Sequence, residues 1–168
     1  MVKVCIERII DVPVDEAWTI FSDVMHIDRI HPMVASVDQL SPNQSRGMNA
    51  MRQCNFYDGH YVQEEIVEWS DEDRHFRINI LDTDLPLTKA TGEFWISAHG
   101  KSQTLLKARM TMKAKYGVVG KLMEYLVLRP QMGHAIGDVF AGVEEYHATG
   151  KEIVKGYHGK SLAMISSC

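Results

Sequence analysis

The sequence predicts an α+β fold: a strongly curved antiparallel sheet of about seven strands wrapped around one long C-terminal helix, with two short helices after the first strand. Three observations predict it. Apolar residues recur with period two from about Ala35 to Lys115, they recur with helical spacing from Val118 to Thr149, and two short helical patterns follow an alternating N-terminal segment. A bent sheet with the long helix across its concave face is the arrangement that covers every one of these apolar stripes.

The first segment, "MVKVCIERII", alternates and carries Glu7 and Arg8, so it reads as a strand and not as a signal peptide. In "DVPVDEAWTIFSD", Pro13 suits the first turn of a helix, and Asp15 and Glu16 favour the positive end of its dipole. Val14, Ala17, Trp18 and Phe21 then fall on one helical face. A second short helical piece, "VMHIDRI", stops at His31-Pro32, because the residue before proline disfavours the α region.

The strands that follow are half-buried. Phe76, Ile78 and Ile80 share a face, as do Ala90, Gly92, Phe94 and Ile96, and then Leu106, Ala108, Met110, Met112 and Ala114. The opposite face of the last strand carries Lys107, Arg109, Lys113 and Lys115. Short turns at Tyr57-Asp58-Gly59, Ser70 to Asp73 and His99-Gly100-Lys101 make the run a meander. In the closing helix Leu122, Leu126, Met132, Ile136, Phe140 and Val143 keep helical spacing. Pro130 breaks the segment near Leu128, and Gly150 is positioned to cap its end. Residues 1–150 are thus expected to form a single domain, with 151–168 as a flexible tail.

Bulk properties narrow the function. At 168 residues, 45% hydrophobic and 24% charged, the chain has the composition of one ordinary globular domain. A net charge of -4 gives no basic footprint for nucleic acid. No apolar run is long enough to span a membrane, so no stable membrane insertion is expected. Cys5, Cys54 and Cys168 are odd in number and scattered, which indicates neither a disulfide framework nor a metal spacing. They suggest a reducing, cytoplasmic compartment. The histidines show no ligand spacing, so neither metal nor cofactor is expected.

One strand carries the chemical question. "YVQEEIVEW" places Glu64 and Glu65 on opposite faces, so one carboxylate points inward if one face is buried. Alternation does not choose between them, because Tyr61, Val67 and Trp69 offer a rival apolar stripe.

The pieces "IIDVPVDEAW", "HIDRIHP", "VQEEIVEWSDED" and "RINILDTDLPLTKATGEF", in this order and spacing, resemble the helix-grip fold of the START-like superfamily. That superfamily includes birch-pollen-allergen-type proteins, polyketide cyclases and dehydrases, and plant abscisic-acid receptors. The likeness implies an internal cavity between sheet and long helix. It puts Glu64 inside, two residues before an apolar inward position, and leaves Glu65 to solvent. His31 falls where the hormone receptors hold a ligand carboxylate, with Met33 beside it. Ile78, Ile80, Ala90, Ala108 and Met110 match inward strand positions, and Leu128, Met132 and Ile136 match the helix. The entry loops match "NFYDGH", with Tyr57 and His60, and "TDLPLT", with Leu85 and Pro86. The receptors' gate and latch residues are absent. The resemblance implies a carrier or sensor of a small hydrophobic molecule. Its alternatives are a cyclase or dehydratase with Glu64 as general base, and a quinone or lipid chaperone acting with a protein partner.

Overall fold

The structure is a computed structural model that describes residues 1–115, 117–159, 164–166 and 168. Strand β1 (Val2–Ile10) leads into α1 (Val14–Phe21) and a 3-10 helix (Val24–Arg29). The meander follows: β2 (Val34–Gln39), β3 (Met51–Phe56), β4 (Tyr61–Ser70), β5 (His75–Thr83), β6 (Leu87–His99) and β7 (Gln103–Ala114). Then come α2 (Gly117–Met123), a π-helical turn (Glu124–Leu128), α3 (Arg129–Thr149) and a short β8 (Met164–Ser166). The strands form one eight-stranded antiparallel sheet in the order β2-β3-β4-β5-β6-β7-β1-β8.

The inner face is the one that the alternation marks. On β1, Val2, Val4, Ile6 and Ile10 are buried; on β7 so are Leu106, Ala108, Met110 and Met112. Helix α1 turns Ala17, Trp18 and Phe21 to this face, and α3 adds Ile136, Val139, Phe140 and Val143. The ring of Phe21 meets those of Phe94 and Phe140 at 5.4 and 5.8 Å between centroids, which ties both helices to the sheet. Gly150 ends α3 in the left-handed conformation, φ 66°, as its capping position requires.

Strand β4 resolves its own ambiguity by changing parity. Val62, Glu64 and Ile66 are buried, and the pairing with β5 then slips between Ile66 and Glu68. The slip is a bulge at Val67, and a bulge moves later residues to the other face. Trp69 therefore lies inward, stacked on Phe76 at 5.7 Å and near Trp18 at 5.3 Å. The stripe Val62, Glu64 and Ile66 faces inward before the bulge and Trp69 after it, while Tyr61 stays on the outer parity.

Two expectations need correction. Leu122 and Leu126, expected to continue the buried stripe of α3, are 63% and 66% exposed. The π turn, which follows Leu122 and contains Leu126, changes the helical register ahead of α3, so a stripe continuous in sequence is not continuous in space. The cysteines do form a disulfide, Cys5–Cys168, with Cα atoms 5.7 Å apart. Strand β8 lies against β1 with Ser166 opposite Cys5, which brings the last residue within reach of a partner 163 positions away. The inference of a reducing compartment, which rested on unpaired cysteines, loses its ground. Beyond Gly150, Ile153 is buried, and its N–H donates to the Arg29 carbonyl at 2.9 Å.

Candidate functional site

The inner face of β3 and β4 carries a polar cluster within an otherwise apolar interior. Arg52 and Glu64 stand directly opposite each other in the β3–β4 register, and both are buried. Arg52 Nε donates to Glu64 Oε2 at 2.8 Å, and a terminal guanidinium nitrogen lies 2.7 Å from the same oxygen. The other guanidinium nitrogen donates to the main-chain carbonyl of Val24 in the 3-10 helix. Arg52 thus links the sheet to the segment that leads to His31.

The remaining members follow from this pair. Cys54, next inward on β3, places Sγ 3.9 Å from Glu64 Oε2. Burial pushes its thiol up to about 12, so it is neither a thiolate nor a nucleophile at neutral pH. Asp28, in the 3-10 helix, has a buried Oδ1 without a hydrogen-bond partner among the described residues. Glu64 Oε1 also makes no hydrogen bond among the described residues, and the side chain retains 11% exposure. The cluster therefore sets two carboxylates, Glu64 and Asp28, beside one fixed cation, Arg52.

His31 is not that cation. Burial and then the charge of Arg52 lower its pKa from 6.5 to about 4, and its Nδ1 accepts the Met33 N–H at 3.2 Å. A neutral imidazole satisfies both facts. Glu64 pairs with Arg52, and His31 packs toward Phe56 at 6.4 Å between rings. As pH falls from 6.5 toward about 4, the unfolded chain takes up a proton that the folded chain does not, so stability declines across that window. His31→Asn, which can still accept the Met33 N–H, should flatten the decline. Urea midpoints of both proteins at about pH 7 and about pH 5 measure it.

The other predicted residues divide by depth. Ile78, Ala90, Ala108, Met110 and Ile136 are buried, while Ile80, Leu85, Leu128 and Met132 are half-buried and pack against the same core. Met33 and Tyr57 are exposed, so neither lines the interior. The two entry loops are joined to each other. Asp84 accepts from the Tyr61 N–H at 3.0 Å and pairs with His60 Nδ1 at 2.9 Å, and Tyr61 Oη donates to Asp82 at 2.7 Å. The hydrogen bond to Asp84 raises the pKa of His60, and those from the Tyr61 N–H and His60 lower that of Asp84. His60 holds the loops together and stands apart from Glu64. Pro86, half-buried, accepts from the Lys115 N–H at 2.9 Å, which anchors the second loop to the end of β7.

Sequence reasoning missed Asp28, and the pairing of Arg52 with Glu64 follows only from the β3–β4 register. A pocket of about 170 Å³, lined by Thr19, Ile20, Asp23, Arg29, Ile30 and Tyr146, contains none of these residues. No group of three or more potential ligands among the described residues is arranged to hold a metal ion.

Residues 1–148 match the family described as polyketide cyclase/dehydrase and lipid transport. The chain belongs to this family. No curated protein matches the sequence. Solved structures of similar fold include a protein of Thermus thermophilus, with a TM-score of 0.73 at 18% identity over 88% of this chain and 98% of that one. A START superfamily protein of Mycobacterium smegmatis gives 0.70 at 15% identity, over 86% and 96%. Norcoclaurine synthase of Thalictrum flavum, in complex with a transition-state analogue, gives 0.65 at 17% identity, over 88% and 96%. At these identities the likeness establishes the fold and nothing finer. The polyketide cyclase/dehydrase and lipid transport family places the curved sheet and long helix in a known architecture; the Arg52–Glu64 cluster is read from this chain alone.

Proposed function

We propose that the protein binds a small hydrophobic molecule between sheet and α3, as a carrier or sensor, and holds its polar end at the Arg52–Glu64 cluster. The observation that carries this reading is a buried polar cluster, Arg52 paired with Glu64 and Asp28 close by, next to an interior lined by Ile78, Ala108, Met110 and Ile136. Ligand sites have this form, mostly apolar with a few placed polar groups. Two carboxylates beside one cation call for a donor, so the ligand class is an apolar molecule with a hydroxyl or amine. The description of the family, which includes lipid transport, supports the apolar part.

The alternative of Glu64 as a general base uses the same carboxylate. With Oε2 committed to two Arg52 nitrogens, a base would have to act through Oε1, the same oxygen that the binding reading uses, and a pH profile of any turnover in the parent protein and in Glu64→Gln separates the two. No observation favours an obligate protein partner.

Native mass spectrometry of the purified protein, followed by extraction of any bound molecule, tests the proposal. The expected result is an apolar compound bearing a donor group. Glu64→Gln should weaken its retention by about tenfold, the scale of one hydrogen bond to a charged group. An empty protein that also displaces no bound apolar fluorophore when offered hydroxylated lipids would overturn it.

A further inference from the structure

The apolar stripe that the π turn rotates away from the core ends on the surface. Val119, Leu122 and Leu126 follow one another at three and four residues, so they share one helical face, and each is more than 60% exposed. Val127 lies beside them at 39%. The amine of Met1 is fixed 2.9 Å from Glu124 Oε2, which brings another exposed apolar residue to the same segment.

The surroundings are cationic although the chain carries a net charge of -4. Lys113, Lys115, Lys121 and Arg129 flank the stripe, and between Glu93 and Asp138 the one acid is Glu124. That carboxylate is buried, and it is occupied by the Met1 amine and the Ala114 N–H, so it offers no surface charge. Lys89 stands directly opposite Lys113 in the β6–β7 register. Like charges in that position repel, and neither has a carboxylate in salt-bridge contact among the described residues. An anionic counterpart would relieve this repulsion.

We propose that this face docks on an anionic lipid bilayer, with Leu122 and Leu126 entering the headgroup boundary and the lysines and Arg129 on the lipid phosphates. An exposed apolar stripe with a basic rim is the pattern of an interfacial helix, and each added cation near such a surface gains roughly fivefold in binding. A stable protein interface fits less well. The segment from Gly117 to Leu128 is only about 18 Å long at 1.5 Å per residue, short of the area that a lasting dimer buries. Docking would also bring the loop at Pro86, bonded to Lys115, to the lipid surface. The inference stands on surface features and does not require that the interior hold a ligand.

Sedimentation with phosphatidylcholine vesicles, with and without roughly one-third phosphatidylserine, tests it. Binding should appear with the anionic vesicles and fall as salt is raised. The Leu122→Asp, Leu126→Asp double variant should bind at least tenfold less tightly, and Lys113→Glu with Lys121→Glu should do likewise. All four residues are exposed, so circular dichroism and thermal midpoints should match the parent protein. Absence of vesicle binding, or equal binding to neutral and anionic vesicles, would overturn the proposal. So would concentration-dependent self-association abolished by the leucine variants, which would assign the face to a second copy. Ligand retention, measured separately, is expected to survive these substitutions.

Discussion

Replacing Arg52 by methionine is expected to destabilise the protein by about 3–5 kcal/mol, the cost of leaving a buried charge without its partner. Glu64 is buried on the inner face and its Oε2 accepts from two Arg52 nitrogens, so the substitution leaves a buried carboxylate without its cation. The Val24 carbonyl loses its donor in the same step. Methionine fills much of the arginine volume, so the loss reports electrostatics more than a cavity. Glu64→Leu in the Arg52→Met background should recover most of the stability, since removing both charges removes the desolvation cost along with the attraction. Urea unfolding of the four proteins gives the coupling energy directly. If Arg52→Met alone cost less than about 1 kcal/mol, the carboxylate would be hydrated in place, as an exposed pair is. The pair would then be no desolvated anchor, and the polar half of the proposed site would fail with it.

Much of the fold was legible because one-sided burial writes itself as alternation. Strands β1, β5, β6 and β7 bury the faces that their patterns mark, and α1 buries Ala17, Trp18 and Phe21. Three features were not legible, each for a physical reason. The bulge at Val67 put apolar residues on both parities of β4, and no local pattern separates a bulge from ambiguity. Pro130 marked the break near Leu128, but not its form, a π turn that leaves Leu122 and Leu126 off the buried stripe. The disulfide depends on β8 returning to β1, a contact between the two ends of the chain. In the site, the inward direction of Glu64 came from family resemblance, not from its strand. Its partner was harder to read. The likeness pointed to His31, but burial keeps that imidazole neutral where a guanidinium stays charged.

Gly142→Ala is expected to destabilise the protein although it improves the helix. In an exposed helix interior the change gains about 1 kcal/mol. Here α3 packs so closely on the chain after the 3-10 helix that an added Cβ would overlap the carbonyl oxygen of Ile30. It would also lie 3.0 Å from that carbonyl carbon and 3.3 Å from Ile153 Cγ1. The backbone cannot move aside cheaply. Ile30 is 2% exposed, and the neighbouring segment is held by the bond from the Ile153 N–H to Arg29. Overpacking of about 3 kcal/mol then outweighs the helical gain, for a net loss of about 2 kcal/mol. Gln131→Ala, on the exposed side of the same helix, should leave the urea midpoint nearly unchanged. The contact also reaches the site, because Ile30 directly precedes His31. A shift of α3 away from this turn would rehydrate the imidazole and move its pKa back toward 6.5, so the decline in stability between about pH 6.5 and about pH 4 should become shallower in Gly142→Ala. A raised midpoint with an unchanged pH slope would mean that the helix and the His31 turn are not in rigid contact.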